Sequence, residues 1–202
     1  MVQYVTRQEI ESFGREVYEA LPPQFRDRLP AGATAHPQNA EIFRRAFQSM
    51  DSHVDRLFSQ LGYQEGQRWD QWKLLAAFYL VEKKIGKHAS TAVGTKIFET
   101  MPWPPSVTCL EDALLGIEHA YRASHDASFA EIGGWPVLEQ RPGYLKIANA
   151  TPYPCHLEEG TLAGVCAGFK AQRPTYQLLS SPKPKREGGV ESVYEVKFLP
   201  KT

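Results

Sequence analysis

The stretch 152–169, PYPCHLEEGTLAGVCAGF, decides how the rest of the chain is read. Leu162, Val165, Cys166 and Phe169 recur at the spacing of one helix face, while Gly160, Gly164 and Gly168 recur every four residues. Each glycine inside a helix costs about 1 kcal/mol relative to alanine. A helix that carries this stripe is expected to have another backbone, or a ligand, lying close against it. On either side the texture is that of strands. Val137 to Gln140 and Tyr144 to Asn149, joined at Arg141-Pro142-Gly143, read as one hairpin; Thr175 to Ser180 and Val190 to Leu199 read as a second. In the last strand Tyr194, Val196 and Phe198 face one way and Glu195 and Lys197 the other, so the sheet has a dry side and a wet side.

Upstream the chain is helical. Thr6 and Glu9 make a capping box for a first helix expected to reach Ala20, before Pro22 and Pro23. A second helix from about Asn39 aligns Phe43, Phe47, Met50, Val54, Leu57 and Leu61 within about 40° of one line, with Arg44 and Asp55 opposite. A third, Gln67 to Ile85, is capped by Gly86, and its centre LLAAFYLV is apolar on every side, as in a helix buried between other elements. A fourth spans His88 to Met101. Thr108 and Glu111 form another capping box ahead of a fifth helix striped by Leu110, Leu114, Ile117 and Tyr121. Ala127 to Ile132 reads as a short extra strand. The fold class is therefore α+β: N-terminal helices packed on one face of a four-stranded antiparallel sheet, made of two hairpins joined by a crossover helix. The chain is expected to form a single domain over 1–202, with an N-terminal helical part over 1–66.

The composition bounds the function. The 202 residues carry 23 basic and 23 acidic side chains, which removes a whole-protein electrostatic case for binding nucleic acid or an anionic membrane. The N-terminal sequence lacks the pattern of a signal peptide, no apolar run is long enough for a bilayer span, and three irregularly spaced cysteines make no disulfide framework. A cytoplasmic protein is expected.

The segments IGKHASTAVGTKIFETMP, LEDALLGIEHAYRASH, VLEQRPGYLKIANATP and PCHLEEGTLAGVCAGF, with the final hairpin, resemble the superfamily of heme-nitric-oxide-binding domains, 4-vinyl reductase domains and Bet3-type trafficking subunits. The resemblance covers roughly Leu75 to Phe198 within the part 67–202. It implies a module that holds a small molecule, heme or an acyl chain between helices and sheet, or one that dimerises and binds partners. It also implies a proximal heme histidine on the helix before the first hairpin, where His119 falls. Measured from Leu110, however, His119 projects at about 180° to the apolar stripe. The superfamily's Tyr, Ser and Arg, alternating before a Gly, would hold the heme propionates. Here Tyr153 is present, Cys155 stands near the Ser, and no Arg follows.

Zinc is the other cofactor weighed, because Cys155 and His156 are thiolate and imidazole side by side. Cys166 cannot join Cys155 on one ion: 11 residues of helix separate them by about 16 Å. GxSxG, HExxH, P-loop and GxGxxG motifs are absent, and no residue is assigned a catalytic role. His125-Asp126 reads as a helix end, Glu158-Glu159 as a first-turn response to the helix dipole, and Lys183, Lys185 and Arg186 as a solvated hairpin tip. The expected ligand-binding residues are Trp72, Tyr79, Trp103, Tyr121, Tyr153, Cys155, His156 and Phe169, lining an apolar pocket. The leading expectation is a small-molecule sensor or regulatory module acting through a homodimer or a separate signalling partner. The alternatives are a ligand-free assembly scaffold, a heme-binding gas sensor, and an enzyme or accessory factor of tetrapyrrole metabolism.

Overall fold

The N-terminal capping box forms as read: Glu9 N donates to Thr6 Oγ1 at 3.2 Å and Thr6 N donates to Glu9 Oε2 at 2.7 Å. The helix it starts is short. In the computed structural model, which describes residues 3–26, 28–48, 53–100 and 103–200, α1 spans Arg7–Glu11 and α2 spans Arg15–Ala20. Gly14 lies between them at φ 116°, a conformation no helix contains, so the single helix expected to Ala20 is two. After α3 (Pro23–Arg26) comes β1 (Thr34–Ala35), then α4 (Pro37–Gln48) and α5 (His53–Gln60). The expected apolar line holds in both: Phe47, Val54, Leu57 and Leu61 are buried, and Phe43 packs against the core. Met50 and Met101 lie outside the described residues. On the other side Arg44 joins α4 to α5, donating to Glu41 at 2.9 Å and to Asp55 at 2.7 Å.

The central helix begins later than its periodicity suggests. Trp69 and Asp70 form β2, which pairs antiparallel with β1, and Gln71 N donates to Ala33 O at 2.9 Å. This pairing ends the extended run, and α6 occupies Gln71–Ile85. Its centre, Leu74 to Val81, is buried as expected except for half-buried Tyr79, and Gly86 caps it at φ 106°. The fourth and fifth helices are α7 (Lys87–Thr100) and α8 (Leu110–Ala123). Thr108 is bonded to Asp112 rather than Glu111: its N and Oγ1 donate to Asp112 Oδ2 at 3.0 and 3.1 Å, while Glu111 accepts from Gln140 at 2.6 Å. The short strand expected over Ala127 to Ile132 is instead the helical turn α9 (Ala127–Ala130), which stacks Phe129 on His125 with ring centroids 5.3 Å apart.

The sheet follows the expected order. Strands β3 (Val137–Arg141) and β4 (Tyr144–Asn149) form the first hairpin, α10 (Cys155–Gly168) crosses over, and β5 (Thr175–Leu178) and β6 (Ser192–Lys197) form the second. The spatial order is β3-β4-β6-β5, antiparallel throughout. Leu145 pairs with Val196 and Ile147 with Tyr194, all buried; Lys146 pairs with Glu195 on the wet side. The α7–α10 seam explains Gly160 of the stripe and Gly94 opposite it. A Cβ on Gly160 would lie 2.0 Å from Thr91 O, and one on Gly94 would lie 1.9 Å from Leu157 O, so the two backbones approach with nothing between them. One cluster of buried residues runs from Val5 to Phe198. Among the described residues no helix is long and apolar enough to cross a membrane.

Candidate functional site

Between α4, α6, α8 and α10 lies a cavity of about 140 Å³. Ile42 and Phe43 close it from α4, Leu74 from α6 and Ile97 from α7; Ile117 and Tyr121 come from α8, and Leu157, Glu158 and Thr161 from α10. Two polypeptide joints complete the wall: Ser124 and His125 at the end of α8, and Tyr153 in the connection from β4 to α10. The N-terminal segment is tied to the first joint. Asp126 Oδ2 accepts from Thr34 N at 2.7 Å, Arg68 Nη2 donates to Asp126 Oδ1 at 2.8 Å, and Asn39 Nδ2 donates to Ser124 O at 3.2 Å. The Thr34 amide, with smaller help from Arg68, holds the Asp126 carboxyl below its usual range.

The polar wall is a directed chain of hydrogen bonds. His125 Nδ1 lies 2.5 Å from Tyr121 O and Nε2 lies 2.5 Å from the Tyr153 hydroxyl. A carbonyl oxygen can only accept, so Nδ1 carries the hydrogen. Burial pushes the His125 pKa below its ordinary value, which keeps the ring neutral at pH 7 and leaves a lone pair on Nε2. Tyr153 O–H therefore donates to His125, and its oxygen accepts from Gln71 Nε2 at 2.7 Å. Burial also raises the Tyr153 pKa well above the ordinary phenol value.

A second cluster fixes the backbone that carries Tyr153. Lys185, expected at a solvated hairpin tip, turns inward, and its Nζ donates to Asn149 Oδ1 at 2.8 Å and to the Thr151 and Tyr153 carbonyls at 2.9 Å each. Those acceptors use all three ammonium hydrogens. Burial pushes the Lys185 pKa down to about 8, opposed by Glu158. Glu158 is buried rather than solvated in a first turn. It accepts from Thr151 Oγ1, and its own pKa is raised by burial. Tyr79 O–H donates to Pro152 O at 2.8 Å on the same connection.

Of the residues expected to bind a ligand, Tyr121 and Tyr153 line the cavity. Tyr79 supports the connection that presents Tyr153. Trp72 is buried against Phe13 at 5.5 Å, the Trp103 ring lies over Gly116, and Phe169 is half-buried just past α10. Cys155 and His156 meet each other and Glu82 instead: Cys155 Sγ and Glu82 Oε1 lie 3.4 and 3.1 Å from the same His156 nitrogen. Among the described residues no cluster of three or more His, Cys, Asp or Glu side chains is arranged to hold a metal ion. His119 is exposed on α8. The histidine at the cavity is His125, which continues the stripe of Leu110, Leu114, Ile117 and Tyr121 by one further step of four. That step was legible in the sequence; the inward turn of Lys185 was not.

A heme does not fit the cavity in this conformation. An engineered cavity of about 150 Å³ holds benzene, and a porphyrin is several times larger. Among the described residues no Lys or Arg lines the cavity to meet propionates, and Glu158 puts a carboxyl on the wall.

No family model matches the sequence, and no curated protein does. Solved structures do. An oxygen-binding H-NOX domain related to soluble guanylate cyclases has 13% identity and a TM-score of 0.58, covering 81% of this chain and 94% of its own. A mutant H-NOX of T. tengcongensis has 14% identity and a TM-score of 0.58, over 83% of this chain and all (100%) of its own. An H-NOX protein solved to probe the function of heme distortion has 13% identity and a TM-score of 0.59, over 83% and 95%. The α+β arrangement of helices and crossed hairpins is thus the H-NOX-like fold.

Proposed function

We propose that this protein is a small-molecule-binding sensor or regulatory module that passes ligand occupancy to a separate partner, a second copy of itself or a signalling protein. The observation that carries this reading is the half-open cavity in whose wall Gln71, Tyr153 and His125 are fixed by an ordered chain of hydrogen bonds. A few placed polar groups in a mostly apolar cavity are the usual form of a ligand site. The connection 149–153, held by Lys185 and Tyr79, couples the cavity to the sheet. The kinship with 4-vinyl reductase and Bet3-type proteins, and the division into parts at 66/67, rest on the sequence resemblance. Three free cysteines suit the proposed cytoplasmic location. Native mass spectrometry of protein incubated with a small-molecule cell extract tests the reading. One bound molecule per chain, lost on denaturation, is expected; bare protein or a ligand-free dimer would count against it and favour the assembly scaffold.

A second reading, a heme-binding gas sensor, is supported by the fold and by His125 at the cavity wall, whose Nδ1–H rests on a carbonyl as in a metal-binding imidazole; Nε2 would have to give up its bond from Tyr153 to take a metal. It requires the cavity to open severalfold. A hemin titration decides: a sharp Soret band that survives in His119→Ala and disappears in His125→Ala would favour heme over the first reading.

A further inference from the structure

We infer that the ligand of this cavity is a neutral, planar molecule of about one aromatic ring bearing a single O–H or N–H donor, held with that donor on the Tyr153 oxygen. The inference rests on the reading of the cavity as a small-molecule site. Size comes first. At about 140 Å³ the space matches the engineered cavity of roughly 150 Å³ that holds benzene, and falls below the roughly 300 Å³ at which drug-sized sites begin. Its walls at Ile42, Leu74, Ile117, Trp135 and Leu157 are apolar, which suits a ring face.

The polar wall then sets the sign of the hydrogen bond. A phenolic hydroxyl has one hydrogen and two lone pairs. Tyr153 gives its hydrogen to His125 Nε2 and uses one lone pair on Gln71 Nε2, so a lone pair remains. His125 has nothing further to offer, since Nδ1–H is on Tyr121 O. The remaining capacity of the Tyr153–His125 pair is therefore that of an acceptor at the Tyr153 oxygen, and it selects a donor on the ligand; the second Gln71 Nε2 hydrogen beside it can meet the same hydroxyl's lone pair.

Charge is excluded on both sides. Among the described residues no Lys or Arg lines the cavity, and the Lys185 ammonium spends its hydrogens on Asn149, Thr151 and Tyr153, so these residues offer an anion no counter-charge. The same ammonium already opposes the Glu158 carboxyl, so the cavity offers no uncompensated negative charge to draw a cation.

Phenol, toluene and benzoate serve as probes of the full-length protein by calorimetry at pH 7. Phenol is expected to bind one per chain and about tenfold more tightly than toluene, the worth of one buried hydrogen bond, with benzoate not binding. Tyr153→Phe is expected to reduce phenol to the affinity of toluene. Equal affinities for phenol and toluene in the natural protein, or binding of benzoate, would overturn the inference whether or not the variant folds. If all three rings fail while native mass spectrometry shows a different bound molecule, the ligand class is wrong and the sensor reading stands. If both are blank, the sensor reading fails as well.

Discussion

Replacing Gly94 by alanine separates tertiary packing from helix propensity, because the two predict opposite signs. In isolation the substitution in the middle of α7 should stabilise the helix by about 1 kcal/mol. In the folded protein the new Cβ would lie 1.9 Å from Leu157 O, 2.8 Å from Thr161 N and 2.9 Å from Leu157 C, all backbone atoms of α10. Ordinary C···O contact begins near 3.3 Å, so the methyl is about 1.4 Å too close. No rotamer can relieve it, and α7 and α10 must separate. A radial gap of roughly 0.5–1 Å already forfeits a quarter to a half of each dispersion contact along a seam, and overpacking of this kind costs about 1–3 kcal/mol or more. Taking the upper part of that range and subtracting the propensity gain leaves a net loss of about 2 kcal/mol, a fall in Tm of roughly 4–8 °C for a chain of this length. Urea unfolding followed by far-UV circular dichroism measures it. A midpoint equal to or above that of the natural protein would refute the close backbone approach and, with it, the explanation of Gly94 and Gly160.

Further outcomes follow from the buried polar groups. Lys185→Met removes the donor from Asn149 Oδ1 and two carbonyls; at about 1–3 kcal/mol for each buried acceptor left alone, eased by water, the loss should be about 3 kcal/mol in urea unfolding, and an unchanged midpoint would show the connection holds without it. His125 has a folded pKa depressed by burial, so the unfolded chain binds the extra proton first and stability should drop as pH falls below about 6.5. Glu158, with its pKa raised, works in the opposite direction, so the test is the difference from His125→Asn, whose urea midpoint should fall less between pH 7 and pH 5. Burial raises the Cys155 thiol pKa and pushes that of Cys166 up to about 12; at pH 8 a disulfide reagent should label both only slowly until guanidinium is added, and rapid labelling of all three thiols in the native protein would contradict the packing of α10.

The hairpins, the crossover helix and the apolar centre of α6 were legible because each depends on a pattern that local burial enforces. A strand with Tyr194, Val196 and Phe198 on one side has one way to bury them. The errors fall where a distant partner overrides a local pattern. Trp69 and Asp70 continue the helical period of α6, yet Thr34 and Ala35, more than thirty residues earlier, draw them into a two-residue ladder. Thr108 has Glu111 at the capping-box spacing, but Gln140 on β3 engages that carboxylate and Asp112 is left to bond Thr108.

The site divides along the same line. Tyr121 and Tyr153 fall at the cavity as aromatic residues near an apolar stripe do whether or not a ligand is present, and His125 lies one step further along the stripe of Tyr121. Glu158 and Lys185 could not be found that way. A carboxylate in the first turn of a helix and a lysine at a hairpin tip are both fully explained by solvent and the helix dipole. What makes Lys185 interior is a set of acceptors far off in the sequence, Asn149, Thr151 and Tyr153, which β4 pairing with β6 brings beneath the β5–β6 loop; Glu158 is met by the Thr151 hydroxyl of the same connection. A buried charge of this kind is stable only after the sheet has assembled its partners. The polar half of the site is thus a product of the fold, whereas the apolar half is one of its causes, and only causes leave a period in the sequence.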